Sequence, residues 1–265
     1  MLQIKNVHKT FNPGTINEKK ALNGIDLELN EGDFVTVIGG NGAGKSTMLN
    51  MIAGVYPVDC GSIVIDGIDV TKLPEHKRAK YIGRVFQDPM NGTAANMQII
   101  ENLALASRRG AHRGLGPGVK HKEKEHYQQL LKSLDLGLED RLTSKVGLLS
   151  GGQRQAITLL MATICKPKLL LLDEHTAALD PKTAKKVLDL TEKIVAENNL
   201  TTIMITHNMK DAIAIGNRLI MMNDGKIIYD VEGDEKKALT TADLLAKFKL
   251  TSGEELDDDK ILLSE

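Results

Sequence analysis

A glycine-rich stretch at residues 39–46 has the residue types and spacing of a loop that binds phosphate groups. Its order is Gly-Gly-Asn-Gly-Ala-Gly-Lys-Ser, and a threonine follows directly. Glycines permit the backbone angles that let successive N–H groups converge on phosphate oxygens, and a helix after the loop would direct its positive end at them. We therefore expect this stretch to bind a triphosphate. The expected contacts are Gly39, Gly40, Asn41, Gly42, Ala43, Gly44, Lys45, Ser46 and Thr47.

Three side chains at the end of this loop are expected to have separate tasks. Lys45 would reach the β- and γ-phosphates, the Ser46 hydroxyl would bind Mg²⁺, and Thr47 would lie near the α-phosphate. Residues 34–38 form an apolar, β-branched run typical of a buried strand, and a helix-forming stretch follows the loop. The alternative is a glycine-rich turn without a ligand. Phosphate binding is favoured because a strand, the loop, the Lys-Ser pair and a helix follow one another in the order that such a site requires.

Two carboxylates close a second apolar run. Residues 169–172 are four leucines, and Asp173 and Glu174 follow them, which is typical of a strand buried in a parallel sheet. Ligands bind at the carboxyl ends of such strands. Asp173 suits a Mg²⁺ position through water, and Glu174 suits a general base for an attacking water. An acidic turn is the alternative, and the phosphate loop upstream makes it the less favoured one.

Other polar residues stand where they could reach the same ligand. Gln87 follows the strand predicted over residues 81–86, where a turn-capping glutamine is the alternative. His207 follows another predicted strand and could hydrogen-bond a γ-phosphate. Residues 149–153, Leu-Ser-Gly-Gly-Gln, resemble a second phosphate-binding element at a helix N-terminus. Phe11 could stack on a flat base or could be a packed strand aromatic, and the sequence leaves both open.

The order and spacing of these motifs resemble the ATP-binding subunit of ABC transporters over about residues 1–250. Gln87 matches the Q-loop, residues 149–153 the family signature, residues 178–180 the D-loop and His207 the switch histidine. The resemblance implies that Glu174, His207, Lys45 and Gln87 are catalytic, and that Ser46, Gln87 and Asp173 hold Mg²⁺. Further contacts with ATP are implied for Ser150, Gly151, Gly152, Gln153 and Asp180, and Phe11 is the candidate for stacking on the base.

The resemblance also implies an α/β fold, the ABC-type P-loop NTPase cassette. Such a cassette has a RecA-like parallel-sheet core, an N-terminal antiparallel β subdomain and a helical subdomain, here inserted at about residues 88–165. Residues 1–250 would form the ATPase domain, and residues 251–265 an acidic, mobile tail. Alternating strands over residues 1–35 and helical spacing near residues 101–106 and 127–134 agree with this division.

The implied assembly is a head-to-tail dimer with two ATP molecules at its interface. Each ATP would lie between the phosphate loop of one copy and Ser150 and Gly152 of the other. The family's partners are a membrane permease and, for importers, an extracytoplasmic solute-binding protein. We therefore expect an ATP-hydrolysing importer subunit at the cytoplasmic face of the membrane. An exporter or lipoprotein-extrusion ATPase, a soluble ABC ATPase and a non-hydrolysing regulatory subunit are the alternatives.

Three departures from the common family pattern point to a subgroup. Gly40 stands where proline or serine is common, His175 where proline follows the glutamate, and Ala177 where serine or asparagine precedes the D-loop. None of them removes a catalytic group. The surrounding sequence is similar to bacterial import ATPases associated with tryptophan- or tyrosine-type binding proteins, which makes an aromatic amino acid the expected solute.

The composition limits the other classes of function. A formal net charge of −1, 3% aromatic residues and no tryptophan give no reason to expect nucleic-acid binding. We expect Cys60 and Cys165 to be reduced thiols. The sequence as given starts with no signal peptide and contains no apolar run of the ~20 residues that cross a bilayer, so a membrane role would require a partner. Residues 108–126 are basic, and a solvated face is favoured there over a patch for an acidic partner.

Overall fold

The computed structural model describes residues 1–111 and 118–252. The expected acidic tail lies, from residue 253 on, outside the described residues, as do residues 112–117 of the basic stretch. The strands are β1 (Leu2–Phe11), β2 (Lys19–Leu29), β3 (Phe34–Ile38), β4 (Cys60–Ile65), β5 (Ile68–Asp69), β6 (Ile82–Val85), β7 (Leu169–Asp173), β8 (Thr201–Ile205), β9 (Arg218–Asn223) and β10 (Lys226–Glu232). The helices are α1 (Lys45–Ala53), α2 (Glu75–Arg78), α3 (Ile99–Ser107), α4 (His121–Lys132), α5 (Gly151–Thr163), α6 (Pro181–Asn198), α7 (Met209–Ala214), α8 (Gly233–Lys237) and α9 (Thr241–Ser252).

An antiparallel sheet is built by the N-terminal part of the chain in the order β2-β1-β4-β5. Alternate residues of β1 and β2 are buried, as their apolar–polar alternation predicts. The hairpin between β4 and β5 turns at Asp66 and Gly67, whose φ angles are 52° and 76°. The dipeptide Asp66-Gly67 between two strand-like runs predicts a hairpin, because a two-residue turn requires two successive positive φ angles, and the structure confirms it.

A six-stranded sheet in the order β10-β9-β3-β8-β7-β6 carries the second half of the fold. Every pair within β9-β3-β8-β7-β6 is parallel, and β10 alone pairs antiparallel at one edge. The leucines 169–172 of β7 are fully buried, as the continuous apolar run predicts. The expected fold class, an α/β cassette with an antiparallel sheet beside a mainly parallel core, is confirmed.

Helices α3, α4 and α5 all lie between β6 and β7 in the chain, and they pack into one apolar cluster. Helix α4 begins at His121, within the stretch interpreted as basic, and so starts earlier than the helical spacing predicts. Glu123 explains the early start, since its carboxylate accepts from the Lys120 backbone N–H at 2.7 Å and pairs with Arg108 at 3.0 Å.

Two short helices, α7 and α8, were not predicted. They contain six and five residues, which is too short for helical periodicity to stand out from the neighbouring strands. Within the described part of the chain, no helix has both the length and the apolar character that crossing a membrane would require.

A buried arginine anchors the helix that follows the phosphate loop. Arg78 is 2% exposed, and its guanidinium donates to the carbonyls of Met51 (2.7 Å) and Ile52 (2.9 Å) in the last turn of α1. It also donates to the carbonyls of Leu73 (2.7 Å) and Thr71 (3.0 Å). The last carbonyls of a helix lack a following turn to pair with. The Met51 carbonyl also accepts from the Gly54 N–H at 3.2 Å, so Arg78 adds a second hydrogen bond there and supplies a donor to the Ile52 carbonyl.

We expect the substitution Arg78→Met to lower the free energy of unfolding by about 3 kcal/mol, because it removes four hydrogen bonds from one buried guanidinium to backbone carbonyls. Urea unfolding followed by circular dichroism measures this loss. Lys77→Met is the matched control, since Lys77 is exposed in the same helix, and it should change stability by less than about 0.5 kcal/mol. Equal stability of the two variants would contradict the anchoring role.

Candidate functional site

The glycine-rich loop fits between two neighbouring elements that leave no room for side chains. Gly39 has a φ of 149°, and a Cβ there would lie 2.2 Å from the carbonyl oxygen of Met222 in β9. Gly44 has a φ of 101°, and a Cβ there would lie 2.6 Å from the carbonyl oxygen of Ala21 in β2. Both positions therefore require glycine on grounds of backbone angle and of space.

The hairpin between β9 and β10 supports the same loop. The Gly225 N–H at its turn donates to the carbonyl of Ala43 at 3.1 Å, and the Gly225 carbonyl accepts from the N–H of Asn23 at 2.9 Å. The turn thus connects the loop to β2. The dipeptide Asp224-Gly225 predicts this hairpin, whereas the contact of its turn with the loop is visible only in the structure.

Lys45 is buried at the first position of α1. Its ammonium donates to the carbonyls of Gly39 at 2.7 Å and Gly40 at 3.0 Å. Burial lowers the pKa of Lys45, and the negative charges of Glu174 and Asp173 oppose that effect. The loop therefore contains a cation held close to its backbone and near two carboxylates.

Ser46 and Asp173 meet at the carboxyl end of β7. The Ser46 hydroxyl donates to Asp173 Oδ1 at 3.4 Å. Burial raises the pKa of Asp173, as does the neighbouring Glu174, whereas the Arg84 guanidinium lowers it. A hydroxyl and a carboxylate are hard oxygen donors, and this pair suits a divalent cation that takes its other ligands from water and phosphate.

Glu174 and His207 form a close pair of titratable side chains beyond the ends of β7 and β8. His207 Nε2 donates to Glu174 Oε1 at 2.7 Å. This hydrogen bond lowers the pKa of Glu174, although partial burial acts in the opposite direction. The backbone of Glu174 has a φ of 46°, an uncommon left-handed conformation, and its N–H donates to the Ile205 carbonyl at 3.1 Å. The carboxylate is thus ionised and fixed in direction.

One cavity of about 240 Å³ brings many of the expected site residues together. The expected site residues outside its lining are Gly39, Gly40, Gln87, Asp173, His207, residues 150–153 and Asp180. Lys19 and Ala21 of β2 line it although the sequence motifs gave them no role. The lining consists of Phe11, Lys19, Ala21, residues 41–47 and Glu174.

Phe11 combines the two possibilities that the sequence leaves open. Its ring packs edge-on against Tyr56, with the ring centroids 5.2 Å apart and the planes at 83°. The Lys9 ammonium lies 5.7 Å from the Phe11 centroid and pairs with Asp59 at 2.6 Å. The ring nevertheless lines the cavity and is only partly buried. Packing against Tyr56 and Lys9 therefore leaves part of the ring available to a flat ligand.

Gln87 is exposed in the bend after β6. Strand β6 pairs in parallel with β7, and Val85 lies opposite Leu172 in that pairing. Gln87 therefore lies two residues beyond the last paired residue of the strand that neighbours β7, and its side chain is not part of the cavity lining.

The residues 150–153 start helix α5 at a surface that is separate from the cavity lining. Ser150 is exposed, its hydroxyl accepts from the N–H of Gln153 at 3.3 Å, and the Gln153 side chain accepts from the Ser150 N–H at 3.3 Å. A Cβ on Gly152 would lie 2.3 Å from Cγ2 of Thr183 in α6, so this glycine also has a packing role. Asp180 caps α6 by accepting from the Thr183 N–H at 3.1 Å. Hydrogen bonding from the Thr183 side chain, and then from its backbone, lowers the pKa of Asp180.

Comparison with known proteins gives consistent matches. A family model described as ABC transporter matches residues 22–177. A tyrosine transport ATP-binding protein from Clostridioides difficile is 46% identical over 254 residues, which cover 94% of this chain and 99% of that protein. The spermidine/putrescine import ATP-binding protein PotA from Haemophilus influenzae is 34% identical over 87% of this chain, which spans only 57% of PotA.

A solved structure is similar along most of its length. It is the dimeric, post-hydrolysis state of the ATP-binding cassette MJ0796 bound to ADP and Pi. It matches with a TM-score of 0.75 and 32% sequence identity, and the match covers 88% of this chain and 98% of that one. The similarity therefore extends across both sheets and the intervening helices.

His175, which directly follows Glu174, is 2% exposed and lies 3.1 Å from the Thr191 hydroxyl in α6 through Nε2. Burial lowers the pKa of His175 from 6.5 to about 4. As the pH falls below about 6.5, the unfolded chain takes up a proton that the folded chain does not. Stability present above that pH is therefore lost progressively between pH 6.5 and pH 4.

We expect His175→Gln, which retains a hydrogen-bonding group for Thr191, to reduce this pH dependence. Between pH 7 and pH 4.5 the unfolding free energy of the wild-type protein should fall by about 2 kcal/mol more than that of the variant. Urea unfolding across this pH range measures both slopes. Parallel profiles would show that His175 is not buried in its neutral form.

Proposed function

This chain belongs to the ABC transporter ATP-binding family, and on that premise we propose that it is the ATP-hydrolysing motor subunit of an importer for an aromatic amino acid. The main support for ATP hydrolysis is the contact of Glu174 with His207 at 2.7 Å. Glu174 also lines the phosphate-loop cavity. An ionised, oriented carboxylate beside such a loop suits the activation of water for attack on a γ-phosphate.

In the proposed complex, the loop and the antiparallel sheet bind different parts of ATP. The N–H groups of residues 41–47 and the Lys45 ammonium contact the phosphates, and α1 directs its positive end toward them. Phe11 stacks on the base with the part of its ring that Tyr56 leaves free. These contacts hold the γ-phosphate near Glu174 in a fixed orientation, which removes much of the entropic barrier to attack.

Mg²⁺, when bound, neutralises phosphate charge and orients the phosphate oxygens. Ser46 and Asp173 are the residues that would hold it, because their oxygens already meet at 3.4 Å, and Gln87 would join them from the bend after β6. The proposed Mg²⁺ set therefore lies between the phosphate loop and the end of β7.

Hydrolysis in this proposal depends on proton movement at Glu174. Its carboxylate accepts a proton from the attacking water as oxygen bonds to the γ-phosphorus, and the bond to the bridging oxygen of ADP breaks. His207 holds the carboxylate through its Nε2 hydrogen bond and can present the same N–H to a γ-phosphate oxygen. Inorganic phosphate and ADP are the products.

We further propose that a second copy of this chain completes the site. Ser150, Gly151, Gly152, Gln153 and Asp180 do not line the cavity of their own chain, and Ser150 is exposed at the N-terminus of α5. Such a terminus aimed at the γ-phosphate of a partner's ATP would close a head-to-tail dimer only while that phosphate is present. Hydrolysis would then release the dimer, which makes it a two-state element driven by ligand chemistry.

The transport part of the proposal rests on the relatives. The C. difficile relative is named for tyrosine transport, and PotA for spermidine/putrescine import. By analogy, residues 1–250 of this chain would act at the cytoplasmic face of the membrane, with a permease and a solute-binding protein as partners. Tyrosine and tryptophan are the proposed solutes, because the tyrosine-transport relative is similar over nearly the whole chain.

For the chemical part, we expect Glu174→Gln to retain ATP binding, to lower ATP turnover by at least about 100-fold and to accumulate a dimer with ATP. The amide occupies the same space but cannot accept the proton. Phosphate release measures turnover, and light scattering after size exclusion measures the dimer. Glu197→Gln, at an exposed position of α6, is the matched control. Unchanged turnover of the Glu174 variant would exclude it as the general base.

For the transport part, we expect the tagged protein to co-purify with a polytopic permease from detergent-solubilised membranes of its own cell. The complex in proteoliposomes should then hydrolyse ATP faster with its solute-binding protein and tyrosine or tryptophan than with spermidine. Recovery only from the soluble fraction, or stimulation by spermidine alone, would contradict the proposed transport role. Neither outcome would affect the hydrolysis chemistry.

A further inference from the structure

A second cation stands at the phosphate-loop cavity, on the wall that β2 provides. Lys19 lines this cavity, and its ammonium nitrogen lies 3.1 Å from the point where a Cβ on Gly42 would stand. Gly42 is exposed at the outer part of the loop, where residues 41–47 line the cavity. Lys19 comes from the antiparallel sheet, whereas Lys45 comes from the loop itself, so the two cations reach the cavity from different elements.

The pairing of β1 with β2 fixes where Lys19 stands. Phe11 and Lys19 are opposite each other at the ends of these two strands. Side chains alternate between the faces of a strand, so Lys19 and Ala21 point into the cavity together and Lys20 does not. Phe11, the residue expected to stack on the base, and Lys19 therefore belong to one cross-strand pair.

The charge of Lys19 is not neutralised by a neighbouring carboxylate. Within residues 1–111 and 118–252, no aspartate or glutamate forms an ion pair with its ammonium. Lys45, in contrast, donates to the carbonyls of Gly39 and Gly40. The positive charge of Lys19 therefore faces the cavity next to a loop whose N–H groups also attract anions, and both features favour an anionic group between them.

We propose that Lys19 is a further binding residue for the polyphosphate of the nucleotide, an inference that rests on the proposed function. Its place between Phe11 and Gly42 directs it to the phosphates nearer the sugar, which nucleoside diphosphates and triphosphates share. Contacts made equally with substrate and product change KM and not kcat. Replacing Lys19 should therefore weaken the binding of ATP and of ADP to a similar degree.

The experiment compares Lys19→Met with the adjacent Lys20→Met in the full chain, using fluorescently labelled ATP and ADP and unlabelled adenosine as a competitor. At low salt, Lys19→Met should weaken binding of both nucleotides about three- to tenfold, and Lys20→Met by less than about twofold. The difference should shrink at high salt, because mobile ions screen an exposed charge. Lys19→Arg should restore most of the affinity, and adenosine binding should not change.

Several results would overturn this inference. One is nucleotide binding by Lys19→Met within twofold of the wild-type value at low salt. Another is an equal loss of adenosine binding, which would mean that the substitution displaces Phe11. If the wild-type protein binds no labelled ATP, the proposed function itself is overturned. The variant Lys45→Met shows the signal that is expected when phosphate binding is lost. Wild-type binding with an unaffected Lys19 variant would overturn the role of Lys19 alone.

Discussion

The absence of space around the phosphate loop is the constraint on which the candidate site depends. The backbone at Gly39 lies against the Met222 carbonyl, and the backbone at Gly44 lies against the Ala21 carbonyl. Because these two contacts come from different sheets, the loop fixes the antiparallel sheet relative to the parallel core. A side chain at Gly39 would clash with β9 inside the parallel core, and one at Gly44 would push the loop away from β2, the strand that lines the cavity through Lys19 and Ala21.

The electrostatics of the site depend on that geometry. Lys45, Asp173 and Glu174 are brought together in a partly buried region where each charge alone would be costly. Burial shifts the pKa of Lys45 down and that of Asp173 up, which disfavours both charged forms, whereas the His207 hydrogen bond keeps Glu174 ionised. Two adjacent carboxylates of the same strand end therefore differ in proton affinity, and this suits them to different tasks.

The site residues divide between two surfaces of the chain. Residues 41–47, Phe11 and Glu174 line one cavity, whereas Ser150 and Asp180 cap two helices outside it. The close approach of Gly152 to Thr183 shows that the start of α5 is packed on the start of α6. Any movement of one of these two helix ends would therefore displace the other, which couples the signature residues to the segment that follows Glu174.

The sequence by itself determined the strands β3, β7 and β8, the loop between β3 and α1, and the hairpin turns, because each is encoded by residue types within a few neighbours. The tertiary structure decided which further side chains share the cavity with residues 41–47 and Glu174. Lys19 and Phe11 line it through the register of β1 and β2, and His175 is buried because α6 packs over it. These placements arise from contacts between residues distant in the chain, and local patterns carry no information about such contacts.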